Sequence, residues 1–288
     1  MKVRPAAASL LFLLVLVACA DAPVDPGAGA GDDIDHSTAR NDVLVRIAFE
    51  GGFTPIEWTY TNFPNFTLYG DGTLILPGAQ IEIYPSPALP AISSRMVEEA
   101  GIQAILREVL DALATIPGDL NDLGFMQIAD APTTVITVSA GGVDRTIRAY
   151  ALAEQIDRPE GMPEEEYRAR VRLQELVTRL GTLETWLPEG SLGPEAAYEA
   201  PGARLFVGKY RKVDLPQEPA PWPLESALAA FGDATDDLGL YRCGVVEAAD
   251  WTAVREAASR ANQLTPWTDA RTKFAILFRP LLPDENAC

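Results

Sequence analysis

Phe66-Thr-Leu-Tyr-Gly-Asp-Gly-Thr-Leu-Ile-Leu76 decides how this chain folds. Two short runs of strand-forming residues flank Gly70-Asp71-Gly72, and Gly and Asp accept the positive φ that a tight hairpin turn requires. Upstream, Val43, Val45, Ile47 and Phe49 alternate with Leu44, Arg46 and Ala48, the period of a strand, until Gly51-Gly52 breaks the pattern. Downstream, Ile81-Glu-Ile-Tyr84 reads as another short strand, ended by Pro85, Pro87 and Pro90. Ile102, Ile105, Leu106, Val109, Leu110 and Leu113 then share one face of a helix. Ser93 or Ser94 is its expected cap, Glu98 and Glu99 suit its early turns, and Pro117-Gly118 ends it. Thr133 to Ser139 and Val143 to Leu152 make a second hairpin around Ala140-Gly141-Gly142. Hairpin, helix, hairpin is an α+β order, with the helix packed on one sheet face.

The second half continues in the same style. A helix is expected from Pro163, with Glu164, Glu165 and Glu166 in its first turn, an apolar face of Ala169, Leu173, Leu176, Val177 and Leu180, and a stop at Gly181. Leu183, Trp186 and Leu187 prolong it as a short cap. Residues 204–210, 240–246 and 272–279 read as strands, Leu224 to Phe231 as a short helix, and the stretch after Asp250 as a helix capped by that residue. The Pro-rich crossing Pro219-Ala-Pro-Trp-Pro223 reads as an extended segment pinned by Trp222, or else as a ligand for a partner groove. The expected organisation is a signal segment (1–18), a flexible tether (19–42), an α+β subdomain (43–155) and a helical connection with a second α+β part (156–288). The sequence leaves open whether these are one or two bodies.

Lys2 and Arg4 precede an apolar run that ends in Leu16-Val17-Ala18-Cys19. A short cationic start, an apolar core too short for comfortable spanning, and a small-residue cleavage site form a secretory signal. With its cysteine, the segment resembles a bacterial lipoprotein signal with its lipobox. That resemblance implies lipid on the Cys19 thiol, cleavage before Cys19, and a protein held by lipid to the outer face of the cytoplasmic membrane. Ala20 to Asp42 is rich in Pro, Gly and Asp and has little to bury. As a coil of about 23 residues it would span on the order of 25 Å.

Formal net charge is −18 for 288 residues, and more negative once Lys2 and Arg4 are removed. Such acidity disfavours nucleic acid and anionic headgroups as partners. Cys243 and Cys288 remain after Cys19 is lipidated, and an oxidising compartment favours a disulfide between them over two free thiols. Closing that loop is worth about 4 kcal/mol in the chain-entropy account.

The chain has a single histidine, His36, and it falls in the expected tether. That disfavours Ser-His-Asp and Cys-His chemistry and histidine-ligated zinc, each of which needs a fixed imidazole. Asp71, Glu82, Asp130, Asp233, Asp236, Asp237 and Glu247 are candidate carboxylates, but no spacing specifies an acid/base pair. Asp233-Ala-Thr-Asp-Asp237 lacks the central Gly and distal Glu of an EF-hand loop. The glycine pairs lack the Lys-Ser/Thr of a phosphate loop, so no metal or cofactor is expected. Phe53, Trp58, Tyr60, Phe63 and Phe66 crowd one proline-stiffened stretch. It reads either as a cover over a sheet face or as an interaction surface, for which Trp58, Tyr60 and Phe63 are the candidates.

Phe66-Thr-Leu-Tyr-Gly-Asp-Gly-Thr, Asp130-Ala-Pro-Thr-Thr, Leu264-Thr-Pro-Trp and Arg279-Pro-Leu-Leu-Pro-Asp-Glu resemble lipoproteins of high-GC Gram-positive bacteria, which implies envelope location. Over residues 43–152, the strand, Gly51-Gly52-Phe53, helix and closing hairpin are similar to emfourin-type metalloprotease inhibitors, although a long insert after Phe53 departs from that pattern. The expected role is a lipid-anchored, non-catalytic binding protein with an envelope protein partner. A carboxylate-based envelope hydrolase and a metalloprotease inhibitor acting through residues 43–155 are the alternatives.

Overall fold

A computed structural model of the protein describes residues 33–121, 128–154, 157–235 and 239–288. The elements are β1 (Val43–Gly51), α1 (Ile56–Thr61), β2 (Phe66–Tyr69), β3 (Thr73–Pro77), β4 (Ile92–Met96), α2 (Glu99–Ala114), β5 (Pro132–Ala140), β6 (Val143–Tyr150), α3 (Glu164–Leu180), β7 (Ala196–Ala197), β8 (Gly202–Lys209), β9 (Ala220–Pro221), β10 (Asp233–Ala234), β11 (Tyr241–Glu247), α4 (Ala248–Ala258), β12 (Trp267–Asp269) and β13 (Thr272–Pro280). The protein is α+β, with strand exceeding helix.

The first sheet has the order β6-β5-β1-β2-β3-β4-β7 and is antiparallel throughout. The turn after Tyr69 forms as its residues dictate: Gly72 takes φ +84°, Asp71 Oδ1 accepts from Thr73 N (2.9 Å), and Leu68 pairs with Leu74. Helices α2 and α3 cover one face, burying Val45, Ile47, Leu68 and Leu74 against Ile105, Leu106, Val109, Leu173 and Leu176. Each such side chain contributes roughly 1.5–3 kcal/mol of apolar burial. Arg170 is fully buried within α3, where Tyr150 O and Leu120 O accept from its guanidinium (2.8 and 2.7 Å) and Glu166 pairs with it. The opposite face carries Tyr69 and Ile75 against Leu282, Phe63 and Tyr198.

The second sheet has the order β10-β11-β8-β13-β12-β9, antiparallel except for the β12–β9 pair. Phe274, Ile276 and Phe278 point to one face, as their alternation requires, and meet α4 through Trp251 and Val254. Trp222 lies edge-on to Trp267 (6.3 Å) and Phe231 (6.1 Å), and its indole N–H donates to Ser226 O (2.8 Å). The Pro-rich crossing is thus pinned by Trp222, with Pro221 on a short edge strand, β9, where a lost donor costs least.

Four local expectations are corrected. Residues 81–84 are not a strand; Ile81, Ile83 and Tyr84 are exposed, and β3 pairs instead with β4. Ser93 and Ser94 lie in that ladder and cap nothing, because sheet hydrogen bonds outweigh their local preference for a helix start. The residue before α2 is Glu98, extended, with no side-chain cap and its N–H donating to Ser191 O (2.8 Å). Residues 224–231 contain only a 3₁₀ turn at Leu228–Ala230, whose first N–H donates to Asp269 Oδ2 (2.8 Å). Helix α4 begins at Ala248, which puts Asp250 in its first turn rather than at its cap.

Residues Ile34–Cys288 form one compact unit. The stretch 34–42, read from the sequence as the end of the tether, therefore belongs to the fold. Gln103 exchanges two hydrogen bonds with the Ile34 backbone (2.8 and 2.9 Å), Asp35 O accepts from Gly141 N (2.7 Å), and Asp42 O accepts from Gly70 N (2.9 Å). Gly70 is required there: a Cβ would lie 2.6 Å from the Ser37 and Ala39 carbonyls. His36 is correspondingly a fixed residue, its side chain 5% exposed, with its ring nitrogens against Ser37 O (2.8 Å) and Glu99 Oε1 (3.2 Å).

Candidate functional site

The aromatic stretch after β1 crosses from one sheet to the other. Pro55 sets the start of α1, and the helix carries Tyr60 onto the face of the second sheet opposite α4. There the Tyr60 ring stacks on Phe206 (4.6 Å, 8°) and meets Tyr241 edge-on (5.6 Å), with its hydroxyl 3.0 Å from the Thr235 hydroxyl. Tyr241 donates to Glu57 Oε1 (3.0 Å); burial and that carboxylate push its phenol up. Phe63 lies under the Arg279 guanidinium (4.6 Å) and packs beside Tyr69 and Leu282. Trp58 is half-buried. Of the three residues expected to form an interaction surface, Tyr60 and Phe63 thus make contacts within the protein.

Phe53, which the sequence places in the same aromatic stretch without singling it out as an interaction residue, behaves differently. It is 89% exposed at the tip beyond β1. Gly51 and Gly52 reach φ +73° and +84°, a conformation costly for other residues, and turn the chain so that Phe53 N donates to Asp130 O (3.0 Å). Asp130, a sequence candidate for catalysis, itself sits at φ +60° in this support. The available signal was Gly-Gly before an aromatic at the end of a strand. An exposed aromatic on a tip fixed by backbone hydrogen bonds loses little freedom on binding.

Cys243 and Cys288 are bonded (S–S 2.07 Å), which returns the last residue to β11 beside Phe206 and Asp233. The tail it anchors carries Asp284 and Glu285 between the sheets. Asp284 accepts from both terminal nitrogens of Arg46 (3.0 and 2.8 Å) and from the Tyr69 hydroxyl (2.7 Å). Glu285 accepts from Arg279 (2.5 Å) and Leu282 N (3.0 Å), with Arg204 nearby (3.6 Å). Burial pushes the Asp284 carboxyl up, but its hydrogen bonds from Arg46 and Tyr69 outweigh this and hold it below the usual carboxylate range. Burial and Asp284 push the Tyr69 phenol well up. Both groups are fixed in the charge states that bind each other, which suits a clasp rather than proton transfer.

Among the described residues, the remaining candidate carboxylates are spread over separate elements. Asp71 holds its hairpin turn, Glu82 lies in the exposed loop, Asp233 is in β10 and Glu247 precedes α4. Asp236 and Asp237 lie outside the described residues, as do Cys19, the expected signal segment 1–18 and the first part of the expected tether. Among the described residues, no three His, Cys, Asp or Glu side chains gather as a metal site, and no helix is long and apolar enough to cross a membrane. Compared with protein-family models, curated proteins and solved structures, the chain matches none.

Proposed function

We propose that this is a lipid-anchored, non-catalytic binding protein of the cell envelope that engages a protein partner through Phe53. The observation that carries the reading is the 89% exposure of Phe53 on a tip held by Asp130 O. Large exposed aromatics on rigid supports are what interfaces use as anchors. The lipobox-like Leu16-Val17-Ala18-Cys19 supports the anchor. The test is cross-linking of wild type and Phe53→Ala in their own membrane, with capture compared at equal folded protein. Loss of a reproducible partner in Phe53→Ala, with an unchanged melting curve, supports the reading; equal capture removes Phe53 from it.

The same tip favours one second reading, inhibition of a secreted metalloprotease. Gly51-Gly52-Phe53, the tripeptide behind the resemblance to emfourin-type inhibitors, is the exposed one. The full chain should then slow such a protease at stoichiometric concentration, and Phe53→Ala should not. Absence of inhibition across several metalloproteases would leave only the first reading.

A further inference from the structure

We infer that the cavity between the first sheet and the C-terminal end of α3 binds a small single-chain carboxylate, an apolar tail ending in one carboxyl group. Phe49, Phe66 and Leu76 from β1, β2 and β3 form its floor, and Val177, Leu180 and Leu183 its wall. Its volume of about 390 Å³ falls in the ~300–1,000 Å³ range of small-ligand pockets. That suits one short chain and is too little for a diacyl lipid.

Arg95 supplies the polar end. It pairs in register with Leu74 on β4 and so shares the helix-covered face. Its side chain is only 15% exposed, and its Nε donates to Gly193 O (2.8 Å), which fixes the guanidinium at the cavity. Its partner Glu184 differs: that side chain is 61% exposed on the turn after α3. With its carboxylate this exposed the pair is weak, because water solvates Glu184 nearly as well as the arginine does. A ligand carboxylate can therefore take the place of Glu184 while its tail fills the apolar space. A neutral ligand could not make that exchange. Phe53 does not line this cavity, so the inference stands or falls independently of the proposed interaction tip.

The experiment is titration calorimetry of the purified full chain with decanoate and with decanol, each variant first checked by its melting curve. Saturable one-site binding of decanoate is expected, with decanol at least about tenfold weaker. Glu184→Gln removes the competing carboxylate and should tighten decanoate by about threefold. Arg95→Gln should weaken it by at least about tenfold, and Val177→Trp, which fills the cavity, should abolish it. Should Arg95→Gln fail to fold, the tightening in Glu184→Gln carries the test, since lost stability would not improve affinity. No saturable binding at millimolar decanoate, equal binding of decanoate and decanol, unchanged affinity in Glu184→Gln, or undiminished binding in Val177→Trp would each overturn the inference.

Discussion

Arg46 and Asp284 stand 238 positions apart and meet through two hydrogen bonds of 3.0 and 2.8 Å. Arg46 belongs to β1, an interior strand of the first sheet, and Asp284 to the tail that the disulfide holds on the second. Their contact, reinforced by the Tyr69 hydroxyl, is one of the ties between the sheets.

Asp284→Asn should therefore destabilise the protein. Each of the two side chains is 23% exposed, so water offsets part of the loss, and about 1–2 kcal/mol is expected from urea unfolding at neutral pH. Because the Asp284 carboxyl is held low, its contribution is complete above the ordinary Asp pKa of about 3.9 and falls away as pH drops through the lower folded value. Wild type and Asp284→Asn should thus converge in stability at low pH. A difference that stays constant down to acid would show that the charge is not what the variant loses.

Reduction of the disulfide, or Cys288→Ser, removes a loop closure worth up to about 4 kcal/mol. It should also loosen the tail, so the effect of Asp284→Asn should be smaller in the Cys288→Ser background than alone. Full additivity of the two substitutions would mean that the clasp holds without the disulfide.

Tyr60 and Phe53 should separate folding from binding. Tyr60→Ala loses the stack on Phe206 and should cost about 2–3 kcal/mol. Phe53→Ser removes a ring that is 89% exposed and should change stability by no more than about 0.5 kcal/mol. Equal melting curves for the two variants would contradict the placement of α1 over the second sheet.

His36 makes the N-terminal edge pH-sensitive. Burial lowers its pKa, but hydrogen bonds to Ser37 O and Glu99 and the nearby carboxylates outweigh this and leave it raised. Glu99 is lowered, first by Gln103 and then by His36. A raised histidine stabilises fully below its unfolded pKa of about 6.5 and loses that contribution as pH rises through the folded value. Amide exchange at residues 34–42 should therefore speed up, beyond the intrinsic pH dependence, from near neutral pH upwards in wild type. In His36→Gln that extra acceleration should vanish; if it persists, another group controls the edge.

Much of the fold was legible because it is local. Gly70-Asp71-Gly72 specifies a turn, the Val45, Ile47, Phe49 alternation specifies a strand face, and Leu173, Leu176 and Leu180 specify a helix stripe, each within a few residues. Among the elements missed or misread, β4, β7, β12 and the residue 81–84 stretch depend on which strand edge lies opposite. Ser93 and Ser94 favour a cap by themselves and a strand beside Ile75 and Leu76. No local preference decides between such pairings.

The functional residues divide the same way. The sequence alone determined the α+β character and made Cys243 and Cys288 the natural partners, since both follow from residue type, spacing and periodicity. Only the tertiary structure decided that Tyr60 covers the second sheet, that His36 is docked, that Phe53 is displayed, and that Arg95 sits at the mouth of an apolar cavity. Exposure and juxtaposition are properties of chain segments brought together from far apart, and an aromatic or a charge looks the same in sequence on either side of that outcome.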